Sequence, residues 1–399
     1  MKTTTSNAAW CQQTRLIILG QLVIITMLDM SDPYWPLILA AFHPFTARTL
    51  QYWSGAIYMA PLLTTIFTTL LWTKIGERIG YKKMILRAGF ALAATQGALF
   101  FLNNPWLILL IRLLQGALAG FTAAAQAWSL KITPAHVHSQ IVGQLQSATA
   151  MGSIIGPMLG GILANYYGYL SIFITSGCVC LLLSGLLAHF LEENALKAQI
   201  MKLKVKRVIN KLKPHENLLF LLICFTQAAR WMSTPFFALY VIEQLQASNI
   251  VLGVIYALMA LMMSLTTPNL GRIIDRQSNH FGWSKRCLIL ALLLSGLVQC
   301  GFAFIHKAYL ALLLSVFWGV SLGVISLILF TFLLKGVSED RRPKIVGLGN
   351  TALKVGNLLG IILGTMVQAE ARFMISFVVI GLFYFALAIL AGRYEQATR

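Results

Sequence analysis

Charge is scarce in this chain, and negative charge is scarcer still. Asp, Glu, Lys and Arg together make up 11% of the 399 residues, less than half of the ~25% typical of a soluble domain. That shortage excludes a water-solvated surface over most of the molecule. A phosphate-cradling G-x-x-x-x-G-K-[ST] loop is missing, which argues against an ATP-driven pump. The first apolar run, residues 16–39, is too long for a signal-peptide core and lacks an A-x-A-like cleavage site after it, so it is expected to stay as a first membrane helix. The six cysteines (Cys11, Cys178, Cys180, Cys224, Cys287 and Cys300) fall in apolar segments or at their basic ends, and no disulfide is expected. His136 and His138 stand in a loop without a cysteine or acid beside them, so neither a metal nor a cofactor is expected.

What the chain has instead is hydrophobic residues, 58% of the total. Apolar runs of about 20 residues recur along its length, each long enough to cross a bilayer. Twelve spans are predicted, near 16–40, 53–73, 84–102, 105–130, 141–166, 169–190, 218–243, 249–271, 287–305, 308–334, 345–369 and 371–392, numbered here as helices 1 to 12. The fold class is an all-α polytopic membrane protein.

The net charge of +19 invites a nucleic-acid reading, but its location argues for topology instead. Counting alternate connections, 25 Lys and Arg lie on one side and three (Arg48, Lys307, Arg372) on the other. Such an excess marks the cytoplasmic face. Both termini are therefore expected in the cytoplasm, in a cytoplasmic (inner) membrane, with the bilayer as partner and no nucleic acid. Seven of the basic residues crowd into 191–217, which reads as a cytoplasmic linker against anionic headgroups. It divides the chain into a first bundle, 1–190, and a second, 218–399.

The two halves echo each other. Met30-Ser-Asp-Pro-Tyr-Trp35 matches Met232-Ser-Thr-Pro-Phe-Phe237 at an offset of 202, and Gly152, Gly156 and Gly160 match Gly356, Gly360 and Gly364 at an offset of 204. Parallel repeats of six helices imply two bundles around a central path, with a substrate site between them. The glycine triplet of helix 5 sits in Gly152-Ser-Ile-Ile-Gly156-Pro157-Met-Leu-Gly160-Gly161. Glycines four apart bare one helix face for close backbone approach, and a proline bends the helix.

These segments carry a family resemblance. The helix 5 segment resembles the glycine-proline antiporter motif of drug:proton exporters in the major facilitator superfamily. The helix 2–3 loop, with Glu77, Arg78, Gly80 and Lys82, is similar to that superfamily's G-x-x-x-D-R-x-G-R-[KR] loop, departing at Thr73 and Tyr81. Gly271, Asp275 and Arg276 repeat it between helices 8 and 9. Arg112-Leu-Leu-Gln115-Gly116 matches an R-x-x-Q-G motif of proton-coupled members, and Leu28-Asp29-Met30 is similar to the L-D-M of bicyclomycin-resistance-type exporters. This chain departs from those exporters just afterwards, reading Ser-Asp-Pro-Tyr-Trp-Pro. The resemblance implies a twelve-helix, two-bundle transporter, active as a monomer. It assigns conformational roles to Glu77, Arg78, Gly80, Gly152, Gly156, Pro157, Gly160, Asp275 and Arg276, and suggests that the helix 5 glycines pack across the halves onto helix 8.

Five charges fall inside predicted spans: Asp29, Asp32, Arg112, Arg230 and Lys354. Each costs about 2.5–3.5 kcal/mol at a helix centre on insertion scales, so its retention points to function or to internal pairing. Asp29 and Asp32 share a face of helix 1, and Pro33 loosens that helix beside both. Asp32 and Arg112 lie at similar depth and are expected to pair. Two neighbouring carboxylates in a low dielectric resist double ionisation, so the acid without Arg112 is the better proton carrier. The expected assignment is Asp29 as proton-cycling group and Asp32 as partner of Arg112, with the exchanged roles as the alternative. Arg230 and Lys354 favour a carboxylate-bearing substrate, and Tyr34, Trp35, Trp231 and Phe236 are candidates for an amphipathic pocket or for plain packing.

Gly319-Val-Ser321-Leu-Gly323 fits a hydrolase G-x-S-x-G, but it lies mid-helix rather than on a strand–turn–helix. The reading is therefore not an enzyme but a proton-coupled antiporter exporting a small amphipathic molecule, siderophore-like or drug-like. A proton symporter importing an organic anion or siderophore is the alternative within transport, and a non-transporting membrane receptor or enzyme the alternative outside it.

Overall fold

A backbone in hydrocarbon has no water to bond, so it closes its N–H and C=O groups within helices. In the computed structural model the described residues, 2–191, 214–276, 280–335, 337 and 341–394, are accordingly helical, with no strand among them. Helix 1 runs Lys2–Asp29, breaks, and resumes as a single turn, Asp32–Tyr34, and a helix, Trp35–Phe42. Helices 2 and 3 are Ala47–Ile79 and Tyr81–Phe100, and helix 4 is split into Pro105–Leu118 and Phe121–Ile132. Helices 5 and 6 are His138–Tyr167 and Leu170–Phe190. Helix 7 comprises Pro214–Trp231 and, after a break, Phe237–Leu239 and Tyr240–Gln244. Helices 8 to 12 are Asn249–Arg276, His280–Phe304, Ala308–Leu334, Arg342–Glu370 and Phe373–Gly392. Nine of the described helices, with the broken helices 1 and 4 each taken as one, are long and apolar enough to span a membrane. Helix 2 carries threonines instead, and their hydroxyls turn inward, Thr65 and Thr68 donating to the carbonyls of Pro61 and Thr64. Residues 192–213, the bulk of the predicted linker, lie outside the described residues.

The helices form two groups of six with the same internal packing. Helix 1 lies on helices 5 and 6, and helix 3 on helix 6; in the second group helix 7 lies on helix 11 and helix 9 on helix 12. The glycine triplets set this pattern. A Cβ on Gly152, Gly156 or Gly160 would meet the Leu22 carbonyl at 3.0 Å, the Thr26 carbonyl at 2.7 Å and the Met30 carbonyl closer still. Gly356, Gly360 and Gly364 abut the carbonyls of Cys224, Ala228 and Met232 in the same register. Each backbone carbonyl on helix 7 is 202 residues beyond its counterpart on helix 1, so the repeat extends from sequence into contacts. This corrects the expectation from the resemblance: the triplet of helix 5 packs on helix 1 of its own half, not on helix 8. Helix 8 meets the adjoining side of helix 5, where Cβ atoms on Gly161 and Gly253 would each come 2.5 Å from the carbonyls of Asn249 and Pro157. Its counterpart across the halves is helix 2 against helix 11, where Gly55 leaves room for Thr365.

Helix 4 was expected to be continuous, and it is not. Gly120 adopts φ +132°, a conformation that side-chain-bearing residues rarely take. The carbonyls freed around it are claimed from outside. Thr65 donates to Gly116 (3.1 Å), Trp72 Nε1 to Ala117 (2.6 Å) and Arg87 Nη2 to Ala119 (3.0 Å). Arg87 also stacks 3.4 Å from the Trp72 ring centre. Leu-Ala-Gly inside an apolar run is a weak break signal by itself; the donors that make the break tolerable come from other helices.

Overpacking a tight seam costs about 1–3 kcal/mol or more. Gly156→Leu and Gly360→Leu should therefore each lower the melting temperature of the purified protein in detergent and reduce transport, whereas Gly143→Leu, which faces open space, should do neither. Equal melting of all three would remove the seams as structural determinants.

Candidate transport site

The break in helix 1 places its two acids. Pro33 has no N–H to give to the helix ladder, and the helix ends at Asp29 and restarts as a tight turn at Asp32. Both side chains are half-buried, and each has its own partner. Ser153 Oγ donates to Asp29 Oδ2 at 2.5 Å, joining helix 1 to helix 5 inside the glycine-proline segment. Arg112 Nη2 stands 3.8 Å from Asp32 Oδ1. The backbone carbonyl of Asp32 accepts a bond of 2.5 Å from the Tyr58 hydroxyl on helix 2.

Arg112 is the most tightly held of the membrane charges. Its side chain is 6% exposed. Nη1 donates to Gln115 Oε1 at 2.6 Å and Nε to the Ile57 carbonyl at 3.3 Å, while the guanidinium lies 4.7 Å from the Trp35 ring centre. Planar donors and a stacking face suit arginine and not lysine.

Among the expected pocket aromatics, three are wholly inside the packing. Tyr34 is fully buried and its hydroxyl donates to the Pro157 carbonyl at 2.9 Å, with the Asn249 carbonyl at 3.3 Å, so it ties helix 1 to helices 5 and 8. Trp35 is fully buried as the platform under Arg112 and beside Phe173. Phe236 is fully buried against Phe373 and Phe377. Their rings fill space between helices rather than line an open pocket. Trp231 is half-buried against the core and lines neither cavity described below.

The second half contains a cavity of about 210 Å³ between helices 7, 8, 10 and 11, and Arg230 lines it together with Thr226, Gln227, Met263, Ser326 and Phe330. Arg230 was expected to face the acids of helix 1 across a central path; its cavity is lined by second-half residues alone. Lys354 lies beside the lining residue Leu353 but does not line the cavity itself. A larger cavity, about 830 Å³, opens between the halves at the end away from the basic loops, with Gln51, Glu243, Glu370 and Arg372 among its lining. At that end Arg48 of helix 2 pairs with Glu370 of helix 11, and Tyr169 donates to Asn249 Oδ1 at 3.2 Å. The Arg48–Glu370 pair is mostly exposed, and such pairs contribute little stability.

At the opposite, basic end, Gly80 takes φ +97° between helices 2 and 3, and Arg78 is exposed. The side chains of Glu77, Asp275 and Arg276 lie outside the described residues.

Ser153 and Tyr58 did not stand out in the sequence. Ser153 is one residue from Gly152 in the helix 5 segment, so its approach to helix 1 follows from the glycine seam once the seam's partner is known. Tyr58 carries no local signal.

Two six-helix groups related by a repeat, with ionisable groups on broken helices, define a multi-pass membrane transporter and not an enzyme. The chain belongs to the Major Facilitator Superfamily, whose model matches residues 17–360 and 219–398. It is 26% identical over 376 residues to the multidrug resistance protein MdtG of Salmonella paratyphi B and of Salmonella newport, covering 93% of this chain and 92% of each relative. The fold is similar to that of a bacterial homologue of the lysosomal transporter Spinster, inward-facing and occupied (TM-score 0.77, 14% identity, 96% of each chain). It is also similar to that of a D-xylose-proton symporter (TM-score 0.75, 16% identity, covering 96% of this chain and 97% of that one).

Asp32 and Arg112 should show coupling in a double-mutant cycle. Arg112→Ala should damage transport or stability in the parent and far less in Asp32→Asn, giving a coupling energy above about 0.5 kcal/mol. Additive effects would mean that the 3.8 Å approach carries no energy.

Proposed function

We propose that the protein is a proton-coupled antiporter that exports a small amphipathic, carboxylate-bearing molecule by alternating access. The observation that carries this reading is the pair of acids at the break in helix 1. Each has a different partner, Ser153 for Asp29 and Arg112 for Asp32. A carboxylate beside a guanidinium keeps its charge readily, whereas one held only by a neutral hydroxyl's hydrogen bond has weaker support. The reading makes Asp29 the group that takes up and releases the proton.

Coupling has a physical route in this arrangement. Asp29 bonds to Ser153 on the same helix 5 whose Pro157 carbonyl, one turn on, meets Tyr34 and helix 8. A change of charge at Asp29 acts first on the helix 1–helix 5 contact and then on the contact between the halves. The excess of basic residues at one end supports a cytoplasmic location for both termini and an inner-membrane setting, with the end bearing Arg48 and Glu370 facing outward. The similarity to multidrug resistance proteins supports export. The protein is taken to work as a single chain.

The test uses inverted and right-side-out vesicles with an imposed pH gradient and labelled amphipathic carboxylates. The wild type should move substrate opposite to the proton, into inverted vesicles acidified inside. Asp29→Asn should remove gradient-driven transport and substrate-induced proton flux while leaving insertion and expression unchanged. Wild-type proton flux in that variant would sink the assignment, and substrate moving with the proton would replace antiport by symport. Ser153→Ala should retain coupling but shift its pH dependence, since the carboxylate keeps its place and loses one hydrogen-bond donor.

A further inference from the structure

Arg230 and Lys354 are the membrane charges that the proton site does not use, and of the two Arg230 lines a cavity. Among the described residues no carboxylate lies within ion-pairing distance of Arg230, and its guanidinium makes no hydrogen bond. Two further polar side chains share its cavity, and among the described residues neither has a hydrogen-bond partner: Gln227 on the preceding turn of helix 7 and Ser326 on helix 10. The Thr226 hydroxyl is already spent on the carbonyls of Leu222 and Ile223. A half-buried guanidinium with idle donors is costly inside a helix bundle. An anion accepting from it would relieve that cost with charge-assisted hydrogen bonds.

The rest of the lining fixes what accompanies the anion. Met263, Leu329 and Phe330 are among the apolar side chains that face the same space, and no second positive side chain does. One guanidinium matches one negative group, and the apolar wall matches a hydrocarbon tail. At about 210 Å³ the cavity is smaller than the ~300–1,000 Å³ of sites that enclose a drug-sized ligand, so it takes the headgroup end of a molecule.

We propose that Arg230, Gln227 and Ser326 form a discrete carboxylate subsite within the second half, selective for amphipathic monocarboxylates. The carboxylate sits on Arg230, with the Gln227 amide and the Ser326 hydroxyl as further donors, and the tail lies toward Met263, Leu329 and Phe330. The subsite deepens the transport reading above, but binding to it needs no gradient. The acids of helix 1 and the anion site are thereby held on different halves.

The experiment is calorimetric titration of the purified, detergent-solubilised protein with hexanoate, acetate, hexylammonium and 1-hexanol, each corrected for titration into protein-free micelles. Hexanoate should bind at least tenfold more tightly than the other three. Arg230→Gln should lose at least tenfold in hexanoate affinity without changing the binding of 1-hexanol, and Arg230→Lys should fall between. Ser326→Leu, which fills the cavity and leaves Arg230 in place, should also abolish hexanoate binding. Melting curves matching the wild type identify the variants that report on binding. Equal binding of hexanoate and hexylammonium, or unchanged affinity in Arg230→Gln, overturns the subsite; acetate binding as tightly as hexanoate overturns its apolar half. If Arg230-dependent hexanoate binding occurs without any gradient-driven transport, the subsite stands and the antiport reading falls. If gradient-driven transport persists without hexanoate binding, the reverse holds.

Discussion

The close approach of helix 1 to helix 5, and of helix 7 to helix 11, is the constraint on which the rest of this protein depends. In a membrane, helices gain little from leaving lipid for one another, so association rests on fine packing and on interhelical hydrogen bonds. Three glycines per seam let backbone meet backbone, with the carbonyls of Thr26 and Ala228 lying where a side chain would otherwise stand. That proximity brings Ser153 within bonding distance of Asp29 and seats the Tyr34 hydroxyl under Pro157. Broken segments of helices 1 and 7 are tolerable for the same reason. Their loosened turns lie against another helix rather than against lipid, where unpaired backbone groups are most expensive.

Charge is distributed with the same economy. The N-terminal half holds two acids and a base in contact with helices 1, 2, 4 and 5, and the base makes two hydrogen bonds, an ion pair and a ring contact. In the other half, among the described residues, no carboxylate lies within ion-pairing distance of Arg230. The two halves are alike in backbone and unlike in the chemistry they present. A duplicated scaffold thus supplies two different local environments from one packing plan.

Much of the architecture was legible in the chain itself. Apolar run length marked the helices, and the offsets of 202 and 204 marked the repeat. Equal depth along helices 1 and 4 brought Asp32 and Arg112 together on paper. Other features were not legible, for identifiable reasons. Glycine spacing shows that a helix face is bare, but not which neighbour uses it: helix 5 does meet helix 8, yet its glycine triplet faces helix 1. Tyr34, Trp35 and Phe236 look alike in sequence whether they line a pocket or fill one, because burial is a property of the assembled helices. The cavity at Arg230 depends on residues from four helices, and its Ser326 sits in an apolar run with no local mark. The break at Gly120 depends on donors from Thr65, Trp72 and Arg87, which no reading of helix 4 alone would have found.

That break gives helix 4 a mechanical property that an unbroken helix would lack. A continuous rod transmits a tilt at one end to the other end in full. Here the segment bearing Arg112 and the segment ending at Ile132 meet at a joint, and the joint is tethered to helices 2 and 3 rather than to its own ladder. The Arg112 segment lies against helices 2 and 3, and the lower segment against helices 1, 3 and 5. The surroundings of the two acids are thereby joined to the lower part of helix 4 through helices 2 and 3 rather than through an unbroken backbone ladder.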